Sequence, residues 1–217
     1  MAVKSTGRRR GRPRAHDVDA GTARRLLLEA AAQVFAQRGY RGASVDAILA
    51  EAGLSKGAFY WHFSSKEELF HTLLQERIER PIQELIELLH AAPADQDMAP
   101  EASQRFLEVL ERERETILLD HEYWSLATRD RELRARYAKR QAELRSALAN
   151  ALEARAKQLG APRFSTPAGE VATAYLALAN GLALAKLIDS EAVPDHLLGE
   201  MYALIYAGLL ARAQQGR

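Results

Sequence analysis

Lys56, Gly57, Tyr60 and Trp61 stand within six residues of one another in the run GLSKGAFYWHF, residues 53–63 of a chain that is 7% aromatic overall. Each suits contact with a polyanion. A lysine ammonium reaches phosphate oxygens or guanine acceptors, and a tyrosine donates to phosphate and lays its ring against a thymine methyl. A glycine lets a phosphate or a groove wall come up to the backbone. On a helix of about 3.6 residues per turn, Phe59 falls with Leu54 and Phe63 on the inner side, and Lys56, Gly57, Tyr60 and Trp61 fall outward or toward the N-terminus. Core packing accounts for Phe59 and Phe63. It does not account for the Lys-Gly pair or for rings on the opposite face.

The flanking residues extend the pattern. Ser44 and Ser55 sit where helix N-caps are expected, and Lys66 opens a further helix, so three helix N-termini with free N–H groups lie close together in sequence. His62 follows Trp61 directly. Ahead of them, residues 1–16 hold Lys4, Arg8, Arg9, Arg10, Arg12 and Arg14 and no acid. Through Thr72 there are twelve Lys/Arg against seven Asp/Glu, a balance of +5 that leaves −4 on the rest of a chain whose total is +1. A basic front on a mildly acidic remainder points one end at a polyanion. Residues 1–20, rich in Gly, Pro and Arg without apolar periodicity, are expected to be a disordered arm. Its GRPR segment suits a narrow minor groove; a solubilising tail fits the same composition.

The elements that position these residues are helices. Leu27, Ala31 and Phe35, widened by Leu28 and Val34, give a first helix over Thr22–Arg38, stopped by Gly39. Ser44 caps a short helix over Val45–Ala52, Gly53 supplies a turn, and Ser55 caps a third from Lys56 to about His62. Two short helices joined by a tight glycine turn make a helix-turn-helix. Ser65 and Glu68 have capping-box spacing before a long fourth helix, where Pro81 predicts a kink rather than a stop because the apolar period resumes at Ile82. Beyond a loop at HAAPADQDMAP, helices are expected over 101–119, around Tyr123 and Trp124, over Arg131–Leu159, over Ala168–Ile188 and from Asp195 to Ala213. No stretch alternates like a strand, so the fold class is all-α: a three-helix helix-turn-helix domain at 21–68 and a helical domain at 69–217.

Several classes of chemistry find no support. There is no cysteine, hence no disulfide framework or thiolate metal site. No nucleophile elbow, phosphate loop, dinucleotide fingerprint or HExxH is present, so no catalytic residue, metal site or cofactor is expected. DHEYW at 120–124 places one histidine between acids, which reads as a helix cap with surface charges, and ERERE at 111–115 reads as a solvated helical face. No apolar run is judged to reach the length needed to cross a bilayer, and no secretory signal follows the basic start. A cytoplasmic protein without a membrane partner is expected.

The segment SVDAILAEAGLSKGAFYWHFSSKEEL resembles the DNA-binding motif of the TetR (tetracycline repressor) family. The match carries Ile48, Ala52-Gly53, Ser55-Lys56-Gly57, Phe59-Tyr60, His62-Phe63 and Lys66-Glu67, and reaches back over LLEAAAQVFAQRGY. It covers about Thr22 to Leu74. The resemblance implies operator contacts from Ser44, Ser55, Lys56, Gly57, Ala58, Tyr60, Trp61, His62 and Lys66, joined by the arm arginines. Two positions depart from the family: Leu49 replaces a small alanine between the two helices, and Ala58 replaces Thr or Ser, leaving a methyl that could meet a thymine.

The resemblance further implies a homodimer joined through the last two helices, where Gly181 and a run of alanines permit close approach, with Leu197, Leu198, Met201, Leu204, Ile205 and Leu209 completing the seam. The expected function is a one-component regulator, a repressor of a near-palindromic double-stranded DNA operator released by a small, largely apolar effector. Phe106, Leu110, Tyr123, Trp124, Tyr137 and Tyr175 are the candidate pocket residues, each equally suited to core packing. A helical DNA-binding protein without a small-molecule ligand, acting in chromosome organisation or through a protein partner, is the alternative.

Overall fold

The computed structural model describes residues 19–161, 164 and 166–215. The arm arginines Arg8, Arg9, Arg10, Arg12 and Arg14, and the expected disorder of the arm up to Val18, lie outside the described residues. The fold is all-α, with no strand among the described residues. The chain divides into two compact units, residues 1–73 and 74–217; this division and the expected one at 68/69 both fall within the helix Lys66–Leu74.

In the first unit, α1 spans Ala20–Gly42. It starts two residues earlier than the apolar stripe suggests, because the Asp19 carboxylate accepts from the N–H groups of Gly21 at 2.9 Å and Thr22 at 3.3 Å. Its regular part ends where expected, at Gly39, whose φ of 67° only glycine adopts readily. The Ser44 hydroxyl accepts from Ala47 N–H at 3.2 Å and caps α2, Val45–Ala52. Gly53 closes α2 in the left-handed conformation, and the Leu54 N–H bonds back to the Leu49 carbonyl at 3.2 Å. Ser55 caps α3, Lys56–His62, through Ala58 N–H at 3.3 Å. Leu27, Phe35, Ile48, Phe59, Leu69 and Phe70 are fully buried, and Leu49, the family departure, is buried too.

α4 spans Lys66–Leu74. Ser65 Oγ accepts from Glu68 N–H at 3.1 Å, while the Glu68 carboxylate takes the N–H of Ser64 at 2.7 Å, one residue ahead of the expected box partner. A π turn over Gln75–Glu79 follows, then α5, Arg80–Ala91. Pro81 therefore neither stops nor ends the helical run. A proline cannot donate to the carbonyl four residues back and crowds it; the wider turn immediately upstream, in which Arg80 N–H bonds to the Gln75 carbonyl, absorbs that conflict.

The second unit continues with α6 (Ala99–Arg112), α7 (Arg114–Ala127), α8 (Arg131–Gln158), α9 (Ala168–Ile188) and α10 (Leu197–Gln215). The single helix expected over 101–119 is two, and Tyr123 and Trp124 belong to α7. The break falls at Glu113, which is buried rather than solvated: its carboxylate accepts from the Thr116 hydroxyl at 3.3 Å and from Arg112 at 3.1 Å. One core cluster gathers Ile86, Leu148, Leu152, Phe164, Val171 and Leu209 from α5, α8, α9, α10 and the segment before α9. A smaller one gathers Leu110, Ile117 and Ala183.

Two contacts fix α10. Gly199 crosses α6 so closely that a Cβ there would lie 1.9 Å from the Ala99 carbonyl oxygen. Its N–H donates to Ser103 Oγ at 3.0 Å, and that hydroxyl donates to the His196 carbonyl at 3.1 Å. Against α9, the Tyr175 and Tyr202 rings stack with centroids 4.3 Å apart, and each hydroxyl donates to the other's backbone carbonyl, at 2.7 and 2.9 Å.

One expectation is overturned. Helix α9 is long and apolar enough to cross a membrane by length and composition, although 22% of its most apolar window is buried within the chain. Thr173, Asn180 and Lys186 interrupt it in sequence without lowering its average enough to exclude it.

Candidate nucleic-acid interface and ligand cavity

In the first unit α3 turns two rings outward. Tyr60 is 60% and Trp61 78% exposed, while Ala58, Phe59 and Phe63 are buried. The Phe59 ring sits edge-on to Tyr60 at 5.2 Å, so the buried ring braces the exposed one. Lys56 is exposed and pairs with Asp46 at 2.9 Å, which raises its pKa above the usual lysine value. That pair ties the start of α3 to the first turn of α2 and presents a cation that can exchange Asp46 for phosphate. At Gly57 a Cβ would meet nothing closer than Ser55 Oγ at 3.8 Å, so the fold does not require glycine there. The Ser44 and Ser55 hydroxyls accept backbone N–H groups as caps, which leaves each O–H free to donate. His62 is half-buried beside Phe63.

Two expected contacts face elsewhere. Ala58 is 2% exposed and its methyl points into the unit, so it is not placed to pack on a thymine. The ammonium of Lys66 donates to the carbonyls of Tyr40 at 2.8 Å and Ala43 at 2.9 Å and lies 4.5 Å from the Tyr40 ring centre. Burial lowers its pKa from the usual lysine value, and its N–H donors are spent on two backbone carbonyls. This side chain holds the chain end of α1 against the start of α4.

The second unit encloses a cavity of about 460 Å³. Phe106, Leu110 and Tyr175 line it, as expected, with apolar neighbours from α5, α8 and α10. The other three candidates do not. Tyr123 is fully buried in the packing, Trp124 is 53% exposed, and Tyr137 lies over Arg140 at 4.7 Å. Asp120 and His121 reach the wall instead, which corrects the view of DHEYW as a cap with surface charges. Asp120 bonds Arg140 at 2.5 Å, and burial lowers the pKa of His121.

Behind this wall is a buried ionic cluster. Arg140 Nε lies 3.1 Å from Glu79 Oε1, within ion-pair range but without a directed hydrogen bond. Burial pushes the Glu79 carboxyl up to about 7, against the opposing pull of Arg140. No group of three or more His, Asp or Glu able to hold a metal occurs among the described residues. Sequence reasoning missed Arg155 and Tyr206 on the cavity wall. Arg155 had a signal: it falls on the apolar face that Leu148 and Leu152 mark along α8.

The all-helical chain thus joins an outward cationic and aromatic helix-turn-helix in one unit to a cavity in the other. The family model for bacterial regulatory proteins of the tetR family matches residues 27–73, and the model for the C-terminal part of BetI-type transcriptional repressors matches 97–209. The chain belongs to the tetR family of bacterial regulatory proteins. The transcriptional activator FasR of Mycolicibacterium smegmatis is 34% identical over 107 residues, 49% of this chain and 47% of that protein. The chain spans about half or less of the length of the curated relatives it matches first. A solved regulator from Pseudomonas aeruginosa PAO1 shares the fold, with a TM-score of 0.74 at 23% identity over 95% of this chain and 99% of that one. A regulator from Saccharomonospora viridis solved in complex with choline gives 0.57 at 24% identity, over 83% and 93%.

Proposed function

We propose that the chain is a repressor that binds a near-palindromic duplex operator as a homodimer and is released by a small molecule held in the second unit. The carrying observation is the outward turn of Tyr60 and Trp61 on a helix whose other aromatics are buried. Two large rings beside Lys56 and Gly57 are turned to solvent within their own unit, Tyr60 braced from below by Phe59, and they match the contacts a major-groove helix makes. Ser44, Ser55, Lys56, Gly57, Tyr60, Trp61 and His62 form the proposed contact set, with the arm arginines. Domain roles follow the two compact units: DNA in the first, effector and dimer contacts in the second.

The match to a repressor C-terminal model favours repression over activation. A cavity within the roughly 300–1,000 Å³ typical of small-molecule sites favours an effector, as does the choline complex of the Saccharomonospora relative. The dimer is favoured by the exposed faces of α9 and α10. Ala174, Ala177, Gly181, Ala185 and Ile188 run along one helix, Leu204 and Gly208 along the other, and all are exposed in the single chain. A second copy covering these small side chains also explains an apolar α9 without invoking lipid.

The test is selection of bound duplexes from a random pool, followed by anisotropy titration with and without cavity-filling compounds. Enriched duplexes should share two half-sites related by a two-fold axis. A compound that weakens operator binding tenfold must have its own affinity weakened tenfold by operator, about 1.4 kcal/mol of coupling. A pool without enrichment, or ligand affinity indifferent to operator, overturns the proposal.

A further inference from the structure

The cavity leaves one buried charge uncompensated. Arg155, on α8, lines the cavity and is 6% exposed. Its Nη2 donates to the Gln96 carbonyl, but Nη1 has no hydrogen-bond partner. Of the three carboxylates on the same wall, Asp120 is held by Arg140, Asp97 accepts the Ala99 N–H at 2.9 Å, and Asp95 is exposed and forms no ion pair with Arg155. A guanidinium does not shed its proton, so neutralisation cannot relieve the burial, and a buried cation without an anion is strongly unfavourable. A second lining residue repeats the pattern: the Tyr206 hydroxyl, on α10, is sealed from solvent and unpartnered. Burial raises the pKa of Tyr206, and the charge of Arg155 opposes that rise, so the two groups share one electrostatic neighbourhood. Most of the remaining wall is apolar, with Ile86, Phe106, Leu148 and Leu176, and Arg105, already paired with Glu101 at 2.9 Å, His121 and Asn180 are among its other polar members.

We propose that the effector is an amphipathic monoanion, a carboxylic acid whose carboxylate is held by Arg155 Nη1 and Tyr206 Oη while its apolar body fills the rest of the cavity. Both donors end long side chains that can rotate to meet an anion, and the pair supplies a charge and a hydroxyl to one oxygen-bearing group. The assignment rests on the cavity being the effector site, and it sets the sign of the ligand's charge: an anion is favoured and a quaternary ammonium is repelled.

Calorimetric titration of the full chain with decanoate, decanol and decyltrimethylammonium, each below its micellar concentration, tests it. Decanoate should bind at least tenfold more tightly than decanol, with the cation weakest. Arg155→Met should abolish that preference and keep decanol affinity within threefold, Arg155→Lys should retain it, and Tyr206→Phe should reduce it at least threefold. Equal binding of acid and alcohol, tightest binding of the cation, no binding of any of the three, or a preference that survives Arg155→Met would overturn the assignment. Should Arg155→Met fail to fold, Tyr206→Phe decides, an unchanged preference counting against it. The effector role fails separately. Arg155-dependent decanoate binding that leaves operator affinity unchanged supports the anion site and removes the effector role. Equal operator release by decanol and decanoate does the reverse.

Discussion

Substituting Gly57 by alanine separates the fold from its proposed interface. Within the first unit the new methyl would sit at ordinary van der Waals distance, 3.8 Å from Ser55 Oγ, with φ outside the left-handed region. Nothing must move to admit it. Alanine gains up to about 1 kcal/mol over glycine in a helix, partly by restricting the unfolded chain, so stability should be unchanged or rise by that amount. Operator binding should respond in the opposite direction. If a phosphate approaches the backbone at the start of α3, the methyl displaces it, and a hydrogen bond to a charged group contributes about 1.5–3 kcal/mol. Affinity should then fall roughly ten- to a hundredfold, and the log–log salt slope should shrink by about 0.9 for the lost phosphate. Denaturant unfolding gives the first quantity and operator anisotropy at several salt concentrations the second. A variant of undiminished stability with wild-type affinity and slope would refute the close approach. A variant that unfolds more easily would refute the claim that the fold leaves this position open.

Lys66→Met should cost about 1–3 kcal/mol of stability, because two carbonyls lose a charged donor, and should leave the salt slope of operator binding unchanged; a slope reduced by one contact would return Lys66 to the DNA interface. Leu204→Glu, at a side chain 64% exposed in the single chain, should yield folded monomers by sedimentation that lose specific operator binding, and a variant that remains dimeric would move the seam elsewhere. Glu79 has a pKa pushed up to about 7 in the fold, above its value in the unfolded chain, so its favourable contribution is present below about pH 4.5 and is lost as pH rises through 7. Glu79→Gln should therefore gain on the wild type between pH 5 and pH 8, by about 2 kcal/mol in unfolding free energy, and a pH-independent difference would show that Arg140 keeps this carboxylate ionised throughout.

The first unit was largely legible because its signals are local. Ser44, Ser55 and Gly53 act within three or four residues of themselves, and helical spacing alone separates Phe59 from Tyr60 and Trp61. Where a side chain serves a distant partner, sequence pattern failed. Lys66 opens a helix and looks like a phosphate ligand, but its acceptors lie 23 and 26 residues earlier. Glu113 sits among charges that alternate like a solvated face, and its burial depends on how α6 and α7 meet. The cavity residues show the same limit. Aromatic content picked out Phe106 and Tyr175, which line the cavity, but it also favoured Tyr123 and Trp124, which share a helix with the cavity-lining His121 without reaching the wall. Arg155 and Tyr206 could not be paired from sequence, because α8 and α10 bring them together from 51 positions apart.

The crossing at Gly199 has a mechanical meaning. Two helices separated by a layer of side chains can slide by small rotamer adjustments, the shear seen in many domain motions. Here the α10 backbone rests on the carbonyl of Ala99, with the Ser103 hydroxyl of α6 bonded twice to the α10 side, accepting from Gly199 N–H and donating to the His196 carbonyl. No layer remains to yield. Translation of α6 along α10 would drive one backbone into the other, whereas rotation about the contact would not. The joint therefore works as a pivot. A molecule that spreads the cavity walls Phe106 on α6 and Tyr206 on α10 meets a lever with its fulcrum fixed at Gly199, and the displacement it causes grows with distance along each helix from that point.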